Sequence, residues 1–281
     1  MLIFHDRQQL RDHVRSVGGE VALVPTMGNL HAGHEALMRR AGELAPHVVV
    51  SIFVNPTQFG PTEDFATYPR TEAEDLERCR AQGVHAVFLP DVVDLYPDGI
   101  PGTVRIGLPQ LENDLCGAFR PGHFAGVALV VMKLLGLVTP QTAVFGKKDY
   151  QQLLVVRTLA RELCLPTHIE PVPTVREEDG LALSSRNRYL STAERRLAPQ
   201  LYTTLQQLAN ELSAVQQGDI GTLERWALER LAMLGFLPEY VAIRRASDLQ
   251  PLQVPEGEMI ILAAVKLGKT RLIDNLEVQR S

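Results

Sequence analysis

The chain has 281 residues, of which 45% are hydrophobic and 22% charged, and its formal net charge at pH 7 is −5. This length allows one large or two smaller apolar cores, and the composition is that of a globular protein. The acidic balance argues against nucleic acid or an anionic membrane surface as the main partner, so a phosphate-bearing ligand would need a local cluster of cationic side chains.

Cysteine spacing and hydropathy point to the cytoplasm. Cys79, Cys116 and Cys164 lie far apart without CxxC spacing, which argues against a disulfide framework and a zinc ribbon. The N-terminal residues contain no apolar run of signal-peptide length, and the most apolar stretch, residues 126–138, contains Lys133. That stretch is too short to span a bilayer. We therefore expect a cytoplasmic protein with reduced thiols and no membrane partner.

Up to about residue 173 the chain alternates helical and extended patterns. Periodicity and capping residues predict helices at 6–17, from the HAGH run to about 45, at 72–82, near 110–115 and over 126–138. Apolar, β-branched runs predict strands at 21–26, 47–54, 85–90, 104–107, 142–145 and 167–173. Continuous apolar strands between helices are typical of a parallel sheet covered on both faces. The sequence therefore predicts an α/β, Rossmann-like fold.

After Thr174 the composition shifts from alternation to helices followed by strands. Two helices are predicted at about 193–215 and 219–235, then strands at 240–244, 259–266 and 270–275. This order indicates a second, smaller α+β domain. We expect domains over residues 1–174 and 175–281.

Residues 21–34, VALVPTMGNLHAGH, form the most informative stretch. A strand, a glycine turn and a helix start in this order make an anion-binding corner, because free N–H groups and the helix dipole point at the same place. His31 and His34 are spaced to share one helix face, and Gly33 lets a ligand approach the backbone. The histidines could instead cap the helix or bind a metal, although no Cys or acidic cluster lies nearby and HExxH is absent.

Polar residues also follow other predicted strands. Asn55 and Gln58 come directly after the strand at 47–54, where open α/β sheets bind ligands. The turn Gly146-Lys147-Lys148-Asp149 repeats the order of strand, glycine and helix start, so Lys148 could meet a phosphate and Asp149 a ribose. Alternatively, Asn55 and Gln58 could be ordinary turn residues, and the lysines and Asp149 could be solvated residues at a helix start.

Two loops offer further anion-binding groups. Arg120 and His123 lie on a glycine-rich loop and suit contact with an anion. Ser184, Ser185 and Arg186 present two hydroxyls and a guanidinium, which can donate hydrogen bonds to phosphate oxygens. This second loop could also be a helix cap.

Seven segments in a fixed order carry a family resemblance: PTMGNLHAGH, SIFVNPTQF, YPRT, RPGHFAGV, FGKKDYQQL, DGLALSSRNRYL and RLIDN. With them the chain resembles the pantoate–β-alanine ligase family over nearly its whole length, and HxGH resembles the signature of the nucleotidyltransferase and class I aminoacyl-tRNA synthetase superfamily. The resemblance implies a nucleotide-binding domain with a small lid-like domain, a homodimer, and adenylation of pantoate by ATP with Mg²⁺. β-Alanine would then displace AMP.

The resemblance also implies roles for individual residues. His34, His31, Lys148 and Arg186 would be catalytic, and Glu74 and Asp75 would contact magnesium. Phe145 would help cover the methyl groups of pantoate. Residues expected to contact pantoate or β-alanine are Pro25, Met27, Asn55, Gln58, Tyr68 and Gln152. Residues expected to contact ATP are Met27, Gly28, Asn29, Leu30, His31, Ala32, Gly33, His34, Gly146, Lys147, Lys148, Asp149, Val175, Leu183, Ser184, Ser185 and Arg186.

Two positions depart from the family's pattern, and two other functions compete. Cys116 stands where many members have Glu, and Leu129 where Thr or Ser is common.

A nucleotidyltransferase that moves AMP or CMP onto a phosphate ester would use the same corner, but the paired glutamines favour a small carboxylate. A nucleotide sensor without turnover would be expected to lack a phosphate-contacting residue, and none of the four catalytic candidates is missing.

Overall fold

The computed structural model describes residues 1–61, 63–214 and 220–280. The chain separates into two compact units, one made of residues 1–147 and 152–173, the other of residues 148–151 and the chain from Thr174 onward. Each unit has its own sheet and its own apolar core. Within these ranges, no helix combines the length and apolar character needed to cross a membrane.

The first unit is built on a six-stranded parallel sheet. Its spatial order is β1-β4-β3-β2-β5-β6. Each neighbouring pair runs parallel, so the carboxyl ends of the strands share one edge. The strands are β1 (Leu2–Phe4), β2 (Val21–Thr26), β3 (His47–Ile52), β4 (Ala86–Phe88), β5 (Thr142–Gly146) and β6 (His168–Val172).

Helices connect these strands. Asp6 caps the first of them, because its carboxylate accepts hydrogen bonds from the backbone N–H groups of Gln8 and Gln9. The helices are α1 (Arg7–Ser16), α2 (Ala32–Leu44), α3 (Glu72–Ala81), α4 (Val92–Leu95), α5 (Pro109–Glu112), α6 (Cys116–Phe119), α7 (His123–Val138) and α8 (Tyr150–Glu162). Short 3₁₀ turns lie at Pro56–Gln58, Ile100–Gly102 and Lys147–Asp149.

Alternation along the strands divides the apolar residues between the two faces of the sheet. In β2, Leu23 belongs to the cluster that contains residues of α1 and α7, whereas Val24 belongs to the cluster that contains residues of α2. Both side chains are fully buried. Cover on both faces explains why these strands read as continuous apolar runs.

The second unit combines helices with an antiparallel sheet. Strands β7 (Leu237–Arg245), β8 (Gly257–Leu267) and β9 (Thr270–Arg280) pair in chain order. Helices α9 (Thr192–Leu197), α10 (Gln200–Ala214) and α11 (Ile220–Met233) precede them, after a 3₁₀ turn at Ser185–Tyr189. The two sheets confirm the predicted fold class, a Rossmann-like parallel sheet with a smaller α+β part. The assignment of ATP and pantoate binding to residues 1–174 and of a lid to residues 175–281 stays a prediction.

Two expectations about elements were wrong, and one strand was missed. Residues 104–107 form no strand, and Val104 is 69% exposed, so their alternating pattern has no sheet to join. The short edge strand β1 was not predicted, because three residues are too few to show a period. The helix predicted from about 193 is divided into α9 and α10 at Pro199, whose ring lacks an N–H and clashes with the preceding turn. Its predicted end at 215, and the next helix's start at 219, lie outside the described residues.

A close contact fixes the loop after β3 against α7. A Cβ on Gly126 would lie 2.2 Å from the carbonyl oxygen of Thr57 and 2.7 Å from the backbone nitrogen of Gln58. Glycine is therefore required for the helix to approach this backbone so closely. Gly136, on the same helix, is exposed, and a Cβ there would meet nothing within 4 Å.

These two glycines give a matched test of the packing. Gly126→Ala should destabilise the protein by about 1–3 kcal/mol, because the added methyl group forces the loop and helix apart. Gly136→Ala should stabilise it by about 0.5–1 kcal/mol through helix propensity. Urea denaturation followed by far-UV circular dichroism measures both, and equal stabilities would contradict the close contact.

Candidate active site

The turn after β2 is held in a conformation that favours glycine. Gly28 has φ +82° and Asn29 has φ +50°, both in the left-handed region. The Thr26 hydroxyl donates a hydrogen bond to the carbonyl oxygen of Ser51 at 2.8 Å and accepts one from the Gly28 N–H at 3.3 Å. The turn is thus tied to β3, the neighbouring strand.

A buried carboxylate on α3 receives the same turn. Asp75 is 1% exposed, and it accepts hydrogen bonds from the N–H groups of Asn29 at 2.9 Å and Leu30 at 2.7 Å. The Thr71 hydroxyl also donates to Asp75, at 3.2 Å, and makes no side-chain capping hydrogen bond to the start of α3. A Cβ on Gly28 would lie 3.0 Å from this carboxylate, so the turn and the acid are fitted to each other. Sequence analysis missed this role of Asp75.

These contacts bear on the predicted magnesium ligands. Both Asp75 oxygens accept backbone hydrogen bonds, and Glu74 is exposed on the same helix. Over residues 1–61, 63–214 and 220–280, no group of three His, Cys, Asp or Glu side chains is placed to hold a metal ion. The assignment of Glu74 and Asp75 to magnesium therefore stays a prediction.

The two histidines of the corner cap α2 reciprocally. His31 is the N-cap and its Nδ1 accepts a hydrogen bond from the Gly33 N–H at 3.2 Å, while Nδ1 of His34 accepts one from the His31 N–H at 3.3 Å. The ring centroids are 4.1 Å apart. Because Nδ1 is the acceptor in both rings, the proton of each neutral ring is on Nε2, so each ring has an Nε2–H donor. The capping alternative is therefore correct, and it is compatible with ligand binding through Nε2.

The structure brings Met27, Asn55 and Gln58 together in the first unit. Gln58 is 7% exposed, and its Nε2 lies 2.9 Å from Sδ of Met27. Asn55, 1% exposed, donates from Nδ2 to Oε1 of Gln58 at 3.1 Å. The amide of Asn55 is therefore engaged inside the protein, and Gln58 is among its partners.

The predicted anion near Arg120 is a carboxylate of the protein. Arg120 holds Glu63 with two hydrogen bonds, Nε to Oε1 at 2.6 Å and Nη2 to Oε2 at 2.7 Å. Arg120 and His123 also point at the carbonyl oxygen of Gln58, and Nδ1 of His123 lies 2.8 Å from it. The loop that carries Gln58 is therefore fixed from both its backbone and its side chain.

The remaining substrate candidates are dispersed along the first unit. Pro25 is half-buried near the end of β2, Gln152 is half-buried on α8, and Phe145 is buried in β5. Tyr68 is buried, and its ring meets Phe59 edge-on with centroids 5.9 Å apart. Both positions that depart from the family's pattern, Cys116 and Leu129, are buried.

The FGKKD turn follows β5. Gly146 ends that strand, and Lys147, Lys148 and Asp149 form the 3₁₀ turn, all half-buried. In the second unit the carbonyl oxygen of Lys148 accepts a hydrogen bond from Nδ2 of Asn275 at 2.8 Å. The Lys148 ammonium lies 3.8 Å from a carboxylate oxygen of Asp149.

The loop that contains Ser184, Ser185 and Arg186 lies in the second unit and forms a hydrogen-bonded turn. The Leu183 N–H donates to the carbonyl oxygen of Val175 at 3.0 Å, which brings these two ATP-site candidates together. The Ser184 hydroxyl accepts a hydrogen bond from the Arg186 N–H at 3.3 Å and caps the 3₁₀ turn that begins at Ser185. Ser184, Ser185 and Arg186 are half-buried.

Arg176 supports this loop and was missed by sequence analysis. It forms two hydrogen bonds to the carboxylate of Asp274, at 2.7 and 2.8 Å, and its guanidinium lies 3.5 Å from the ring centroid of Tyr202. Burial raises the pKa of Asp274, and the hydrogen bonds and charge of Arg176 oppose that rise. The RLIDN segment contains Asp274, but nothing local in the sequence identifies Arg176 as its partner.

The Glu63–Arg120 pair predicts a pH-dependent contribution to stability. Burial alone would raise the pKa of Glu63, but the hydrogen bonds and charge of Arg120 outweigh it and lower the pKa from 4.5 to about 2. Since the folded pKa lies below the unfolded one, the stabilisation is present above pH 4.5 and is lost as the pH falls toward 2. Glu63→Gln should cost up to about 3 kcal/mol at pH 7, and less at about pH 3.

The measurement is urea denaturation of wild type and Glu63→Gln between about pH 7 and about pH 3. Circular dichroism is the proper probe, because the single tryptophan, Trp226, lies in the second unit. Glu77→Gln is the control, since Glu77 is exposed and forms only a surface pair with Arg80. A Glu63→Gln deficit that stays constant with pH would refute the ionised pair.

Known proteins of one family match this chain over nearly its whole length. The sequence matches the family described as pantoate-beta-alanine ligase over residues 2–277. A pantothenate synthetase of Pseudomonas aeruginosa is 53% identical over 264 residues, which cover 94% of this chain and 93% of the relative.

Two solved structures have the same fold. The crystal structure of pantothenate synthetase from Thermus thermophilus covers 100% of both chains with a TM-score of 0.93 and 43% identity. That of pantoate-beta-alanine ligase from Francisella tularensis, complexed with beta-gamma ATP and beta-alanine, covers 98% of this chain and 97% of that one, with a TM-score of 0.83 and 33% identity. With this fold and these matches, the chain belongs to the pantoate–β-alanine ligase family.

Proposed function

We propose that this chain condenses pantoate with β-alanine to give pantothenate, AMP and pyrophosphate, through a pantoyl-adenylate. The observation that carries the proposal is the family match over residues 2–277 in a chain whose HxGH corner has two Nε2–H donors. The Francisella tularensis relative was solved with beta-gamma ATP and beta-alanine, which supports ATP as co-substrate.

In the first step a carboxylate oxygen of pantoate attacks the α-phosphorus of ATP. A new O–P bond forms, the bond to the bridging oxygen breaks, and pyrophosphate leaves. Negative charge builds on the α-phosphoryl oxygens, so fixed donors aimed at them lower the barrier. His31 and His34 are assigned this role, with His34 the principal catalytic residue, and the backbone from Met27 to Gly33 binds the phosphates.

Lys148, Ser184, Ser185 and Arg186 are assigned to the pyrophosphate. A guanidinium and an ammonium stabilise the leaving group's charge, and hydroxyls add hydrogen bonds to its oxygens. Gly146, Lys147 and Asp149 are assigned to the ribose side of ATP, and Val175 and Leu183 to the adenine.

Gln58 and Gln152 are assigned to pantoate, with Pro25, Met27 and Phe145 covering its methyl groups. In the second step the amine of β-alanine attacks the acyl carbon, the C–O bond to AMP breaks, and the nitrogen loses a proton. Holding an unprotonated amine against the acyl carbon is the main requirement of this step, so positioning dominates it. Asn55 and Tyr68 are assigned to β-alanine.

Magnesium enters the proposal only as the ion that accompanies ATP. Phosphate oxygens and water are its usual ligands in nucleotide complexes. We assign no step to a magnesium ion held by Glu74 or Asp75, because the described contacts of Asp75 fit the turn instead. Homodimer formation and cytoplasmic localisation stay predictions.

The function is tested by following pyrophosphate and AMP release from MgATP, first with pantoate alone and then with β-alanine added. Pantoate should give pyrophosphate up to about one equivalent of enzyme, and steady AMP and pantothenate should appear only after β-alanine is added. No pyrophosphate release with pantoate would overturn the ligase and lead to nucleotidyltransferase substrates.

Variants that keep the caps separate the chemistry of the histidines from their structural role. Asn at position 31 and Gln at position 34 can still accept the backbone hydrogen bonds of the capping box but lack the ring. His31→Asn and His34→Gln should therefore fold with nearly unchanged stability while the adenylation rate falls roughly 100- to 1,000-fold.

His31→Ala is the matched comparison, since it removes both ring and cap and should lose about 1 kcal/mol of stability as well. Single-turnover pyrophosphate release measures the rate, and thermal denaturation measures the stability. Near-normal adenylation by His34→Gln would show that His34 acts only as a cap.

A further inference from the structure

Tyr96 is a buried hydroxyl that the proposed chemistry does not use. It follows α4, is 2% exposed, and donates a hydrogen bond from its Oη to Oδ1 of Asn55 at 2.7 Å. Burial raises the pKa of this phenol, and its hydrogen-bond contact with Thr57 acts in the opposite direction. Tyr96 therefore keeps its proton at neutral pH and acts as a donor.

The backbone fixes which way the Asn55 amide points. The Thr57 N–H, which can only donate, lies 3.4 Å from Oδ1, and the carbonyl oxygen of Gly126, which can only accept, lies 3.2 Å from Nδ2. A flipped amide would place two donors together on one side and two acceptors together on the other. The Tyr96 hydroxyl, and that of Thr57 at 3.0 Å, add donors on the oxygen side.

This orientation is passed on to Gln58. Because Asn55 turns Nδ2 toward Gln58, the Gln58 amide must turn its oxygen back, and the distance from Nδ2 to Oε1 is 3.1 Å. Nε2 of Gln58 then faces Met27, whose thioether sulfur is a weak acceptor 2.9 Å away. The end of this chain of hydrogen bonds is an N–H donor beside an apolar side chain.

We propose that Tyr96 is a positioning residue that, through Asn55, fixes Gln58 as a hydrogen-bond donor to an oxygen of pantoate. The inference rests on the proposed function and deepens it, because it states which end of the Gln58 amide the substrate meets. A carboxylate or a hydroxyl oxygen accepts from Nε2–H and replaces a weak sulfur contact with a stronger one. The reversed amide would set its oxygen against a carboxylate and repel it.

Tyr96→Phe tests the proposal, since it keeps the ring and removes only the hydroxyl. The KM for pantoate should rise roughly 3- to 10-fold, the size expected for one hydrogen bond, while the KM for ATP stays unchanged. Tyr240→Phe, on β7 in the second unit, is the control for losing a tyrosine hydroxyl and should leave both constants unchanged. Adding Thr57→Val removes the second hydroxyl donor to Asn55 and should raise the KM for pantoate further.

A double-mutant cycle with Gln58→Ala separates positioning from general support of the loop. Pantoate affinity is measured by calorimetry, so that the cycle does not depend on turnover. If Tyr96 acts through Gln58, Tyr96→Phe should weaken pantoate binding in the wild type and have no effect once Gln58 is Ala.

Equal effects of Tyr96→Phe in both backgrounds would overturn the inference, and so would an unchanged KM for pantoate in an enzyme that makes pantothenate. A parallel rise in the KM for ATP would also overturn it, because the loss would then be general. Failure of the wild type to make pantothenate is a separate result and refutes the proposed function itself.

Discussion

The arrangement of the corner depends on one buried carboxylate. Asp75, 1% exposed, meets no guanidinium or ammonium within 4 Å among the described residues and is satisfied instead by two backbone N–H groups of the turn and the Thr71 hydroxyl. A buried charge without these donors would cost several kcal/mol, so the turn and α3 are bound to each other. Its charge also acts on the next turn of α3, where burial first, and then Asp75, raise the pKa of Cys79 to about 12. That cysteine is therefore an inert thiol of the core.

A common principle connects the corner with the loop after β3. In both places the protein engages one acceptor atom of a side chain, and this contact determines where the donor N–H of the same side chain is. Nδ1 of His31 and of His34 accepts a backbone N–H, which assigns the proton to Nε2, and Oε1 of Gln58 accepts from Asn55, which turns Nε2 toward Met27. Preorganised donors of this kind need no reorientation when negative charge develops beside them.

How far the fold and the candidate site could be predicted from the sequence depends on how far apart in the chain the interacting residues lie. Strand β2 was predicted at its observed bounds, and the HxGH helix start was recognised, because periodicity and capping are local signals. The two backbone partners of Asp75 are 45 and 46 residues away from it, Tyr96 is 41 residues from Asn55, and Asn275 is 127 residues from Lys148. Such pairs exist only once the sheet has formed, so the sequence identified Asn55 and Gln58 without indicating how they are oriented. Arg120 was misjudged for the same reason, since its anion, Glu63, lies 57 residues earlier.

An acidic chain that binds ATP needs donors or cations to contact the phosphates, and in the first unit one candidate cation is already paired. Arg120, on the RPGH loop, is held in two hydrogen bonds by Glu63, and among the described residues it also contacts Gln58 and His123. The donors described at the corner of this unit are backbone N–H groups and the imidazoles of His31 and His34. Under the proposed function the cations assigned to the pyrophosphate are Lys148 and Arg186, and both belong to the second unit. Neutral donors discriminate by geometry, whereas cations respond to the total charge of the phosphates. Replacing a corner donor should therefore lower the rate of the chemical step more than the affinity for ATP, while replacing Lys148 or Arg186 should affect both.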